Sequence, residues 1–215
     1  LPRHPAMRVY LLAAEFLAVF CALPLAASIP ALGIPHLPLL LVVAGACALV
    51  LARAPTFERR RLWNGAAAAA AAPEIGQRAF AALVAIVAVV AVLFPDRLLD
   101  LPRERPLRWA GLVLLYPLLS AYPQEVVYRA FLLHRYRPIF GDGRMAVAAS
   151  AVAFSFLHVV YLNWPALVLT LPAGALLALT YRRTGSLAAA TLEHAAYGIL
   201  VFTFVLGKFF LAGRL

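Results

Sequence analysis

Six ionisable side chains fall inside the apolar stretches of this 215-residue sequence: Glu15, Glu125, Arg129, His158, Glu193 and His194. An ion in hydrocarbon is expensive, so such groups are functional candidates by default. Glu125 and Arg129 stand four residues apart and share one helix face, where they can pair. A structural pair of this kind is often no better than apolar packing, which leaves Glu125 in particular without a purely structural reason to be there. Counted from the nearest flanking arginine at about 1.5 Å per residue, Glu125 lies roughly 15 Å, His158 roughly 21 Å and His194 roughly 16 Å along their helices. Three segments thus bring one carboxylate and two imidazoles to similar depths.

Those groups suit the hydrolysis of an amide inside a membrane. Burial raises a carboxylate's pKa and a neighbouring cation lowers it. Glu125 beside Arg129 is therefore expected to act as a base towards water. His158 can hold the same water, and an N–H of His194 can face the developing oxyanion. Phe154 sits on the face of His158, one turn earlier. A glutamate with two histidines also matches a catalytic zinc ligand set. The HExxH spacing is missing, however, and pairing to Arg129 opposes a metal, so no metal or other cofactor is expected. Ser120 and Ser155 lie near the site without a GxSxG pattern.

The elements that must position these residues are membrane helices. The chain is 65% hydrophobic and 13% charged, more apolar surface than one soluble core of this size can bury. Apolar runs at 10–29, 37–52, 79–94, 109–122, 145–162, 166–181 and 187–206 approach or reach the length that crosses a bilayer. No strand-like alternation occurs, and backbone in lipid must be satisfied internally, so the expected fold is an all-α polytopic bundle of about seven to eight membrane helices. No linker or repeat divides it: residues 1–215 read as a single integral membrane domain, with the chemistry in 109–206. The first run follows Arg3 and Arg8 and contains Glu15, and it is expected to be a retained span rather than a removed signal. The run 65–73, alanine-rich and ending in Pro73, is too short to span and is expected to form a cytoplasmic or interfacial helix of its own. Pro117 and Pro123 are expected to interrupt the helix ahead of Glu125 and open space for water.

The formal net charge is +10, but the arginines are scattered in short groups between apolar runs. That pattern orients helices and argues against nucleic-acid binding. Basic loops around Arg53–Arg61, Arg135–Arg144 and Arg182–Arg183 fall on one side of a seven-span arrangement, placing them and the N-terminus in the cytoplasm. The 95–108 loop dissents with four arginines, and a short or re-entrant helix there changes the count to six or eight. Cys21 and Cys47 show no metal or disulfide spacing and read as buried thiols.

In order along the chain, "QEVVYR" (124–129), "FSFLH" (154–158) and "HAAYG" (194–198) resemble the signatures EExxxR, FxxxH and HxxxN of the CPBP family, the CAAX-protease and bacteriocin-processing membrane proteins, or Abi family. The resemblance covers 109–206. It implies a glutamic-type intramembrane endopeptidase on a bundle of about eight membrane helices. It further implies His158 as the water-binding histidine, His194 as an oxyanion donor and Arg129 as a supporting cation. The chain departs from the pattern twice. Gln124 stands where the first glutamate is expected and cannot serve as a base; Gly198 replaces the motif-three asparagine and offers no side-chain donor. Glu125 is then the carboxylate left for the base role. Tyr128, Phe154, Glu193 and Gly198 are expected to line the site, Glu193 as a partner that holds the His194 imidazole.

The expected function is hydrolysis of a peptide bond in a membrane-associated substrate, with the lipid bilayer as solvent, in a bacterial inner membrane. A catalytically silent scaffold or immunity-type protein is the alternative, favoured by Gln124 and Gly198. A proton-relay transporter ranks below both because no inverted repeat is present.

Overall fold

The computed structural model describes residues 5–204 and 206–210, and among them every regular element is helical. The helices are α1 (Ala6–Ala27), α2 (His36–Arg53), α3 (Gly65–Leu93), short α4 (Asp100–Glu104), α5 (residues 106–135), short α6 (Arg137–Phe140), α7 (Arg144–Leu157, followed by a 3-10 turn His158–Tyr161), α8 (Trp164–Thr184) and α9 (Leu187–Thr203). Leu206–Phe210 forms a last 3-10 turn. Five of these, α1, α2, α3, α7 with its 3-10 turn, and α8, are long and apolar enough to cross a bilayer by length and composition, and α9 is a shorter apolar helix. Large side chains such as Val92, Leu114, Val42 and Phe80 remain exposed on the outside, which suits a bundle whose solvent is lipid. The protein is an all-α polytopic membrane bundle, as its composition requires.

Local sequence sets the helix ends. Asn163 accepts a hydrogen bond from the Ala166 amide at 3.0 Å and Ser186 one from Ala189 at 3.1 Å, so each caps the helix that follows. Gly185, at φ +58°, supplies the left-handed residue that ends α8.

Two expectations are corrected. The alanine-rich run is no separate helix: it is the first part of the 29-residue α3, with Pro73 inside. Alanine has the highest helix propensity, so the run propagates through the proline into the apolar segment. Nor do Pro117 and Pro123 break α5. The helix continues through two widened, π-type turns, Pro117–Ala121 and Val126–Phe131. Each widened turn ahead of a proline covers the carbonyl four residues back that the ring would strike: residue 119 for Pro123, and residue 20 in the Ala18–Ala22 turn for Pro24. The short helix α4 occupies the dissenting basic loop.

The motif-bearing helix is the hub. Pro123 to Leu132 is buried at every position, although it holds Gln124, Glu125 and Arg129. Around it pack Phe20 of α1, Leu51 of α2, Phe154 of α7, Leu177 of α8 and Leu187 of α9. The helices α7 and α8 touch closely at Gly174, where an added Cβ would meet the Ala151 Cα at 3.0 Å and the Phe154 ring at 3.1 Å. That close approach fixes Phe154 from behind. At the end of α5, Arg135 grips Glu15 with two hydrogen bonds, 2.9 and 2.7 Å, and the Tyr136 hydroxyl adds a third at 3.0 Å. Glu15 is therefore satisfied as a tie between α1 and α5.

Candidate active site

Glu125 is fully buried, and both carboxylate oxygens face protein groups. Its Oε2 lies 3.1 Å from Arg129 Nε, the pairing that the four-residue spacing predicts. Its Oε1 accepts a hydrogen bond from His194 Nδ1 at 2.8 Å. Residues 124–129 of α5 and the helix α9 thus meet in an array, Arg129–Glu125–His194, whose formal charges cancel while the imidazole is neutral. A carboxylate accepts only, so Nδ1 carries the proton and the second nitrogen, Nε2, presents a lone pair. His158 is fixed in the same sense. Its Nδ1 donates to the Phe154 carbonyl at 2.8 Å, which again leaves Nε2 as an acceptor.

Phe154 joins the two histidines. The Arg129 guanidinium lies over its ring at 4.4 Å, a cation–π contact between two buried side chains. The His158 and His194 rings meet its edge at centroid distances of 5.0 and 5.3 Å. From there the contacts run on through His194 to Tyr116 at 5.9 Å, Tyr116 to Phe202 at 5.6 Å, Phe202 to Phe210 at 6.3 Å, and Phe210 back to His158 at 5.6 Å. Both imidazoles are members of a closed aromatic ring, and both are buried.

A cavity of about 270 Å³ adjoins this ring, walled by apolar side chains of α1 and α2 such as Leu23, Leu40 and Val43. His36, Ser120, Gln124 and His158 supply its polar lining, and Tyr128 and Tyr161 border it. Gln124 donates through Nε2 to Ser120 Oγ at 2.8 Å, while its Oε1 has no partner among the described residues. The amide therefore stands at the cavity and the adjacent carboxylate does not. Tyr128 packs its ring between Phe20 and Phe154, at 5.4 and 5.7 Å.

Glu193 differs from expectation. Its carboxylate turns from His194 to the opposite side of α9, accepting from Arg78 at 3.0 Å and from the Tyr197 hydroxyl at 2.7 Å. Adjacent residues on a helix point about 100° apart, so the carboxylate that holds His194 comes from α5 instead. Arg78 also donates to Thr180 and pairs with Glu74, tying α3 to α8 and α9. Taking the third span to begin at residue 79 hid Arg78. It lies in mid-helix because α3 begins at Gly65.

Tyr116 is the other residue that the sequence reading passed over. Its spacing to Ser120 and Gln124, four and eight residues, is the one signal that could have drawn attention to it. Among the described residues, no three His, Cys, Asp or Glu side chains group as a set able to hold a metal ion.

Residues 106–200 match the family model described as type II CAAX prenyl endopeptidase Rce1-like. That segment runs from the start of α5 into α9 and contains every residue of the array just described. No curated protein and no solved structure matches the chain.

Proposed function

We propose that this chain is an intramembrane endopeptidase that hydrolyses a peptide bond of a membrane-embedded substrate, a reading supported by the match of residues 106–200 to the type II CAAX prenyl endopeptidase Rce1-like family model. The observation that carries this reading is the Arg129–Glu125–His194 array, with a 2.8 Å carboxylate–imidazole hydrogen bond, standing beside a second imidazole of the same tautomer.

The geometry favours a division of labour in which Glu125 does not touch water. Arg129 pairs with the carboxylate, and the carboxylate fixes the His194 tautomer and stabilises the imidazolium that forms. A water offered to the two Nε2 atoms would donate one hydrogen to each. One of its two lone pairs would face the scissile carbonyl carbon. As the C–O bond forms, His194 takes one proton. As the C–N bond breaks, His194 returns it to the departing nitrogen, so one water is consumed and a carboxylic acid and an amine are left, the acid's proton passing to the amine as the products separate. Gln124 can accept a hydrogen bond at the cavity but cannot take a proton.

The apolar walls beside Gln124 and His158 suit an aliphatic part of the substrate, and the bilayer supplies the route by which such a chain arrives. On this reading the basic loops and the N-terminus lie on the cytoplasmic side of a bacterial inner membrane, as their arginines suggest. A silent scaffold is the competing reading. The test is incubation of the purified protein, in lipid nanodiscs, with a library of membrane-tethered peptides, and analysis of the products by mass spectrometry. Cleavage at defined bonds by the wild type, abolished in Glu125→Ala, is the expected result. No product from any peptide, or full activity in Glu125→Ala, would contradict the reading.

A further inference from the structure

Both imidazoles spend their Nδ1–H on protein acceptors, His194 on Glu125 and His158 on the Phe154 carbonyl. Neither has an N–H left for the oxygen that becomes negative when water adds to a peptide carbonyl. Amide hydrolysis in a water-poor site needs such a donor, aimed in advance. We propose that the phenol of Tyr116 is that donor. The assignment rests on the peptidase reading and adds to it the residue that stabilises the oxyanion.

The argument starts at Gly198, one turn beyond His194 on the same face of α9. A Cβ built there would overlap Cε1, Cζ and Oη of Tyr116, well inside van der Waals contact. The tip of the phenol therefore occupies the space that a side chain at 198 would fill. Only glycine admits it. The Tyr116 ring then lies edge-on to His194, with centroids 5.9 Å apart and planes at 81°. Phe202 closes its other side at 5.6 Å. The hydrogen bonds along this part of the site run from Gln124 to Ser120 and from His194 to Glu125, and neither engages the Tyr116 hydroxyl. An O–H donor, held by packing and not spent on a protein acceptor among the described residues, thus stands beside the base. In the proposed step the phenol keeps its proton and donates a hydrogen bond to the oxyanion until the C–N bond breaks.

The assignment is tested in nanodiscs on a peptide that the wild type cleaves. Tyr116→Phe keeps the ring and the packing and removes only the hydroxyl. Its kcat is expected to fall about 10²-fold with KM little changed, the signature of an interaction made in the transition state. Tyr116→Ala with Gly198→Asn places a carboxamide N–H in the vacated space. This pair is expected to recover about tenfold or more over Tyr116→Ala alone, which a purely structural role for the ring would not give. Wild-type kcat in Tyr116→Phe, or a change in KM alone, would overturn the donor and leave the peptidase reading standing. Failure of the carboxamide to restore any activity would likewise count against a donor at this place. Absence of hydrolysis by the wild type over the whole peptide library would overturn both.

Discussion

His194→Ala is expected to lower kcat by about 10²–10⁴-fold, the range for loss of a positioned general base. The substitution removes the one group that both accepts a proton and has a carboxylate behind it to stabilise the resulting cation. It also exposes Glu125 Oε1 to a small space left by the imidazole, while the pair to Arg129 remains. His194 is not among the residues that line the apolar cavity proposed to take the substrate's aliphatic part. KM is accordingly expected to change little, and steady-state kinetics in nanodiscs separates the two. A large rise in KM with kcat unchanged would mean that the imidazole binds substrate and is not the base.

The largest effect on stability is expected at Arg129. Its side chain has no solvent exposure and lies between the Glu125 carboxylate and the Phe154 ring, against which it makes its cation–π contact. Removing it by Arg129→Ala leaves a buried, unpaired carboxylate and a space beside Phe154. Breaking one half of a buried pair costs about 3–5 kcal/mol. The carboxylate can escape part of that cost by taking a proton, but it then ceases to stabilise the His194 imidazolium, so activity falls with stability. Thermal unfolding in detergent is expected to show a clear loss of Tm for Arg129→Ala. It should show a smaller one for Arg129→Met with Glu125→Gln, where no charge is stranded. Equal losses in the two proteins would mean that packing, not the charge pair, sets the penalty.

Much of the site was legible because its residues are polar in an apolar chain. Glu125, Arg129, His158 and His194 are conspicuous by cost alone, and the four-residue spacing correctly pairs the first two. The direction of the Glu125 carboxylate was not legible. A one-dimensional pattern gives depth along a helix, but the contact with His194 depends on how α5 and α9 are rotated against each other. That rotation is set by packing and by the widened turns of α5, which shift the helix face partway through. The same limit explains Glu193: its neighbour in sequence was His194, while its neighbour in space is Arg78. Tyr116 went unnoticed because tyrosines are common on apolar helices. Its meaning depends on a glycine 82 positions later in the chain. The fold was legible more fully. The seven apolar runs map to the seven long helices, and the chief error was treating an alanine run as a separate element when helix propensity favoured continuation into the next.

The most direct test of the central claim, that Glu125 works through His194 and not on water, is a double-mutant cycle on kcat/KM with Glu125→Gln, His194→Ala and the two combined. If the carboxylate acts only by orienting and stabilising the imidazole, then once His194 is gone the second change has nothing left to remove, and the double variant is expected to match His194→Ala within about twofold. A double variant slower by the product of the two single losses would put Glu125 on the water itself and contradict the account.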